Sequence, residues 1–580
     1  MAATEWSKNG PFVDNVLVKN LNYDQNVEAL LDNQLDIIEE SLDSESINQL
    51  AESQGILIQH RLRNGYGYLT INCGKYPLNE TALRRAFAFA LDKEAISNDV
   101  WDGQSVPLDS PIPRCNPYSI EGTIGFSYYQ ADAIEGNHLL DEAGFLIDPV
   151  TGFRNAPDGR SFHILIEVAQ SSDIAIGVGE EAQRALERLH INSTNTPVDF
   201  YEYLNRLYFH GSFDIVFLGS SFPSFDVDWL AYEFWSEYAD EPYCNFPKWR
   251  NSTYDSWRDQ LIHSTDYESV YQASAQMQKI WVYECPEIIC YENLENYAYR
   301  EDTFRIINLA SPDRSSFWWI PYNAHIRAEN GGPFGGTLRI SSSAHPKFNP
   351  FQSCSCYGTF TDDLPWETLL RRTPDGLIIP WLAESFRVES SLDNSEIPED
   401  TTRITFTLLQ NATWTDNTPL TSEDVAFSIN FHRESRGNPY GSILDEMTAC
   451  YSPNPWTVVV EFKGISYWNV PKFTQLIIVP KHVFGAPGFN LTRWNPDPTI
   501  APIVTAGSFN YTNFESGSFW ELSYNPKYFY GIEHTLNPNY PEEPENTTHL
   551  VIPFGTASMA ITAGSLVVIA GVIILWKKEI

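Results

Sequence analysis

Polar and apolar positions alternate with different periods in different parts of the chain. In WTDNTPLTSEDVAFSI, Trp414 to Ile429, the run Asp416-Asn417-Thr418-Pro419 is turn chemistry. Thr421 follows as a helix cap, with Asp424 three residues on in the capping-box place, and Val425 and Ile429 continue on a helical repeat. Leu83, Ala86, Phe87, Ala90 and Leu91 form a second helical stripe. Glu180 to His190 is a third, with Ala182, Ala185, Leu186 and Leu189 on one face. Phe200 to Phe209 reads as another helix ending at Gly211. Strand patterns run from Ser161 to Val168 and from Phe213 to Leu218. Before residue 331, then, strands and helices alternate, which predicts an α/β lobe. Beyond it strands dominate: TLRIS, RITFTLLQ with Ile404, Phe406 and Leu408 alternating, and WTVVVEF. The glycine-rich run 331–336 between the two parts reads as a flexible joint.

One apolar stretch is of another kind. Residues 556–576 carry no charge, and at about 1.5 Å per residue they span roughly 30 Å, a bilayer core. Lys577 and Lys578 follow, and a basic flank stays cytoplasmic. The expectation is a transmembrane helix over 556–576, a cytoplasmic tail over 577–580, a Pro- and Glu-rich stalk over 536–555, and an extracellular body. No signal peptide is visible at the start, which an extracellular body requires.

Composition narrows the class. The 580 residues exceed one core and hold 75 acidic against 37 basic side chains, a formal net charge of −38. Such a surface repels phosphate backbones, so nucleic acid is excluded as a partner. The eight cysteines are compatible with a few disulfides, and neither close pair, Cys285/Cys290 nor Cys354/Cys356, has zinc-finger spacing. No metal or cofactor is expected. There is no GxSxG elbow, P-loop, GxGxxG after a strand or HExxH, so nothing motivates an enzyme.

Several segments together resemble the extracellular solute-binding proteins of family 5, the dipeptide- and oligopeptide-binding class that serves ABC importers. LAESFRV (382–388), ATWTDNTPLTSEDVAFSINF, TAGSFNYTNFESGSFWELSYNPKYF, LRRAFAFALDKEAISNDVWDGQSVPLDSPIP and FDIVFLGSSFPSFDVDWL are similar to signatures of that family, spread over residues 6–530. Their order is not the family's. The second half comes first, and the cut falls between NPKYFY at one end and WSKNGPFVDNV at the other. This resembles a circular permutation, with residues 331–336 sealing the usual termini; the alternative is a fusion remnant of two tandem copies, against which stands one complete set of segments without duplication.

The resemblance implies an α/β, two-lobed clamp like the periplasmic binding proteins. One lobe would combine 1–73, 288–330 and 337–535; the other would be 74–287. It implies a receptor that delivers a small polar solute, oligopeptide ahead of sugar, to an ABC permease. The rivals are a surface interaction protein that kept the fold without a ligand, and a surface hydrolase. In the family, a Trp and an Asp of the loop that here follows Leu218 line the pocket and pair with the peptide's amino group. In this chain those two places hold Ser220 and Pro223. The candidate binding residues are therefore Ser220, Ser221, Asp226, Asp228 and Trp229. The alternative for Asp226 is a cap on the helix beginning near Trp229.

Overall fold

The computed structural model describes residues 8–531, apart from 208–210, 223, 242–243, 307–316, 344–345, 347, 352–360, 362, 375, 392–393 and 435–443. The apolar stretch 556–576, the stalk and the cytoplasmic tail lie outside the described residues, as do Cys354 and Cys356. Among the described residues no helix is long and apolar enough to cross a membrane.

The fold is mixed α/β. Twelve described strands form one sheet, ordered Phe509–Glu515, Phe519–Tyr524, Asn15–Lys19, Thr337–Ser341, Ile37–Ile38, Glu287–Arg300, Gly65–Ile71, Ile215–Ser221, Ile164–Ala169, Ser193–Val198, with Ile56–Leu62 and Ser105–Pro107 also paired to Glu287–Arg300. A separate antiparallel sheet holds Ala383–Ser390, Thr401–Leu408, Thr457–Lys463 and Met447–Asn454 in that order.

Glu287–Arg300 is the spine. Its first residues pair with Gly65–Ile71, its last with Ile56–Leu62. The apolar side chains on its two halves enter different cores. Ile288, Ile289 and Tyr291 join Leu69, Phe87, Leu186 and Trp281 in a first core drawn almost wholly from residues 66–291. Tyr297 and Tyr299 join Val16, Trp319, Trp381, Phe406 and Trp520 in a second. A small third cluster packs Val27, Leu30 and Leu50 under Ala298.

The second core is built from sequence-distant strands. Val16 lies between Leu338 on the parallel side and Leu522 on the antiparallel side. The start of the described chain also meets its end: Gly10 N–H donates to the Tyr530 carbonyl at 3.3 Å, and Tyr524 N–H to that of Asp14 at 2.8 Å. The glycine-rich run, expected to be flexible, is bonded into this corner. Gly335 N–H donates to the Phe12 carbonyl at 2.9 Å, and Asp14 N–H to that of Gly336 at 3.0 Å. Gly335 and Gly336 have φ of 100° and 82°, and a Cβ on Gly332 would stand 1.8 Å from the Ile326 carbonyl. Glycine is therefore a steric requirement here.

Locally encoded elements match the pattern reading. The helix Ser422–Glu434 starts where Thr421 N–H donates to Asp424 Oδ2 at 3.0 Å, and Val425 and Ile429 are fully buried. Thr81–Ala90 buries Leu83, Ala86, Phe87 and Ala90. Boundaries shift elsewhere. The helix predicted from Glu180 begins at Asp173, capped by Ser172, and its strand partner runs Ile164–Ala169. The helix predicted over 200–209 is described as Phe200–Asn205, followed by residues partly outside the described set.

Candidate functional site

The strand Ile215–Ser221 lies against Gly65–Ile71, with Ser220 opposite Tyr66 and Ser221 opposite Gly65. The approach is close because Gly65 has no side chain: a Cβ there would stand 2.2 Å from the Ser220 carbonyl oxygen. That oxygen accepts from Arg63 Nη2 at 2.9 Å. The loop that follows is gripped by Asn64, whose Nδ2 donates to the carbonyls of Phe222 at 3.1 Å and Ser224 at 2.8 Å. Phe222 stacks on Trp229, ring centroids 4.7 Å apart and planes 13° from parallel. Stacking of this kind fixes a ring where a solvated one would rotate.

Asp226 does not cap the following helix. That helix, Leu230–Glu233, has Trp229 at its N-cap and no side-chain cap bond. Asp226 instead faces Arg372, whose Nη2 donates to both carboxylate oxygens at 2.9 Å, and Ser224 Oγ donates to Oδ2 at 3.0 Å. Neighbours of Asp226 in sequence, Val227 and Leu230, belong to the first core; Leu370, two residues before Arg372, belongs to the second. The pair therefore crosses the seam between the cores. Arg372 is itself fixed: its carbonyl accepts from Trp319 Nε1 at 2.8 Å, and its Nη1 donates to the Gly376 carbonyl at 3.3 Å.

Asp228 is half-buried. Desolvation, reinforced by the negative charge of Asp226, pushes its carboxyl up to about 6, against the pull of the Lys472 ammonium from across the seam.

A second contact crosses the seam at Tyr467 and Trp468. Tyr467 N–H donates to the Ser264 carbonyl at 2.7 Å, and Trp468 Nε1 to that of Leu261 at 2.9 Å. Trp468 is 4% exposed and counts among the first core's residues, whereas Phe473, five residues on, packs in the second. Its ring lies 6.2 Å from that of Tyr118.

Ser220, Ser221, Asp226, Asp228 and Trp229 are thus on one strand end and one loop. Of these, Asp226 has a protein partner from the other core. Arg372, Lys472 and Trp468 were not anticipated. A signal was present for the first: Arg371 and Arg372 are adjacent basic residues in an acidic chain, directly after Leu369 and Leu370. Among the described residues no group of His, Cys, Asp and Glu is placed to hold a metal ion, and Cys73, Cys115, Cys244, Cys285, Cys290 and Cys450 are free thiols. The few disulfides considered from composition are thus not formed among these six.

The family model for bacterial extracellular solute-binding proteins, family 5 Middle, matches residues 2–241 and 378–569, well over half of the chain. The chain belongs to that family. Within the family 5 proteins, it is 28% identical over 192 residues to the "Probable peptide-binding protein YejA" of Agrobacterium fabrum, covering 32% of this chain and 29% of that one. It is 27% identical over 213 residues to the protein y4wM of Sinorhizobium fredii, covering 35% of this chain and 30% of the relative. The chain therefore spans less than a third of the length of these curated relatives. Among solved structures, the oligopeptide-binding protein AppA of Bacillus subtilis, in complex with a nonapeptide, aligns with a TM-score of 0.43 at 16% identity, over 50% of this chain and 56% of that one. A mannohexaose-bound oligopeptide-binding protein of Thermotoga maritima aligns with a TM-score of 0.40 at 23% identity, over 49% and 55%.

Proposed function

We propose that this family 5 protein is the solute receptor of an ABC importer, with a small polar solute, oligopeptide ahead of sugar, as ligand. The observation that carries the reading is the seam: the Ser220–Trp229 loop of one core meets Arg372 of the other. A ligand held there touches both bodies only when they are together, and its differential affinity for the closed state is what shifts the population. The two cores are read as the lobes of the clamp, 74–287 against 1–73, 288–330 and 337–535. Ser220, Ser221, Asp228 and Trp229 are assigned to the ligand, and Asp226 to it only when Arg372 gives way. The chemistry asked of the protein is binding, with no catalytic step.

The test is a thermal-shift screen of peptides and sugars on the wild type, Asp226→Asn and Asp228→Asn. Ligand at about 100 times its Kd stabilises by roughly 2.7 kcal/mol. A peptide shift that is diminished in Asp228→Asn supports the reading. A shift with sugars alone overturns the peptide preference, and mass spectrometry of ligand released from purified protein identifies the solute directly.

The body is assigned outside the cell, tethered by 556–576. Protease added to intact cells should remove the body and leave a small C-terminal stub; a body protected until lysis reverses the orientation. The chain order is read as a circular permutation of the family's, supported by the match in two separate stretches and by the contact of Gly10 with Tyr530. A reordered gene, with residues 337–531 placed before 8–330 and a short linker between 531 and 8, should then yield a protein with the same melting behaviour. The second reading, an interaction protein that kept the fold, is favoured by one observation: Arg372 and Trp468 fill part of the seam with the chain's own side chains. Absence of any bound or stabilising solute would support it.

A further inference from the structure

Arg372 does for Asp226 what a ligand's cationic group would do. Its guanidinium contacts both carboxylate oxygens at 2.9 Å, and the pair is largely withdrawn from water, with side-chain exposures of 8% and 16%. On the same seam Trp468 leaves its own chain neighbours in the second core and is inserted among residues of the first, with its indole N–H bonded to the Leu261 carbonyl at 2.9 Å. Tyr467 adds a backbone bond to the Ser264 carbonyl at 2.7 Å. Every one of these contacts is lost if the two cores separate, and none needs a solute.

We propose that Asp226–Arg372 and the Tyr467–Trp468 peg form an internal lock that holds the clamp closed without ligand. This rests on the reading of the two cores as lobes. Opening exposes the Trp468 ring to water and gives up the charged hydrogen bonds between Arg372 and Asp226, so it is opposed from both points at once. The consequence for specificity is direct. A solute with a cationic group gains at Asp226 only by displacing Arg372, so neutral or anionic solutes are handicapped less than in a site with a free carboxylate.

Hydrogen exchange read by mass spectrometry on the full chain tests the lock with no ligand present. The protein is first dialysed until native mass spectrometry detects no bound solute. Backbone amides in peptides covering 258–266 and 464–474 should then remain protected in the wild type. Arg372→Met and Trp468→Ala should each accelerate exchange in both peptides by about tenfold or more, because local opening free energies set these rates. The strands Asn15–Lys19 and Gly65–Ile71 serve as internal controls and should be unchanged. Exchanging the charges, Asp226→Arg with Arg372→Asp, should restore protection, which a mere loss of folding would not. Rapid exchange at both peptides in the solute-free wild type overturns the lock, as does unchanged protection in both single variants. Neither result depends on which solute, if any, the protein binds.

Discussion

The first core is drawn from one nearly continuous run of chain, residues 66–291, whereas the second collects strands from both ends, with Val16 between Leu338 and Leu522. Charge is handled alike inside each. Lys93 and Asp109 are paired at 2.5 Å in the first, both 1% exposed, and Lys93 Nζ also donates to the Leu108 carbonyl at 2.8 Å. Arg371 and Glu367 are paired at 2.9 Å in the second, at 8% and 0%. The pair between the cores is different. Asp226 keeps 16% of its side chain in contact with water. Ion pairs sealed within a core can be broken only by leaving a charge in low dielectric, while a pair at a seam can be rehydrated. That gradient in cost separates what holds each core together from what joins the two cores.

The gradient predicts a ranking. Lys93→Met should be the most damaging change, because it leaves Asp109 buried without its partner. Breaking a sealed pair from one side costs about 3–5 kcal/mol. Urea denaturation followed by circular dichroism measures it. A loss no larger than that of a seam variant would erase the distinction between core and seam.

Next is Glu292, on the strand shared by both cores. Its side chain is fully buried, it accepts from Arg114 N–H at 3.0 Å, and desolvation pushes its carboxyl up to about 7. Because the folded value lies above the ordinary one, the protonated form is the stable one in the fold. Its contribution to stability is complete below about pH 4.3 and gone once pH has risen through 7. At roughly 1.4 kcal/mol per pH unit, the swing is on the order of 3 kcal/mol. Glu292→Gln should remove it, so the variant gains on the wild type between pH 4.5 and 7.5. Parallel urea midpoints at the two pH values would show that this carboxyl is not desolvated.

Asp226→Asn belongs below both. It removes a charged partner from Arg372 but leaves an oxygen to accept one bond, and the site is open enough to rehydrate. The expected loss is about 1.5–2 kcal/mol, the low end of the range for a charged hydrogen bond. If the loss reaches that of Lys93→Met, the seam is as dry as the cores and the bodies do not separate.

Legibility in the sequence follows the same division. The helix Ser422–Glu434 was readable because its turn, cap and apolar repeat are neighbours in the chain, and Asp424 does accept the Thr421 N–H. The helix at Thr81 and the strand Thr337–Ser341 were readable for the same reason. The two-residue strand Ile37–Ile38 was not, because so short a run has no period, and its place is set by Ile340 on one side and Tyr299 on the other. Arg372 and Asp226 are 146 positions apart and on different cores, so no local pattern links them. Trp468 looks like any aromatic residue after a strand; that it crosses into the other core follows from how the two cores pack. Asp226 before a helix suggested a cap, and the nearer guanidinium won.

The smallest effect sharpens the comparison from the outside. Lys481 and Glu423 are 2.9 Å apart, a contact as short as Arg372 to Asp226, but their side chains are 50% and 68% exposed. Both charges stay hydrated whether or not they touch, and salt at physiological strength screens what attraction remains. The hydrogen bond from the Lys481 ammonium, with its charge, holds the Glu423 carboxyl below its usual value. Lys481→Gln should therefore leave the urea midpoint within error of the wild type at 0.15 M salt, the physiological strength. The same measurement on Arg372→Met should not. Equal distances with unequal consequences would mean that burial, rather than the ion pair as drawn, decides the cost. A clear loss in Lys481→Gln would refute that, and with it the argument that the seam is held by charges the solvent cannot easily reach.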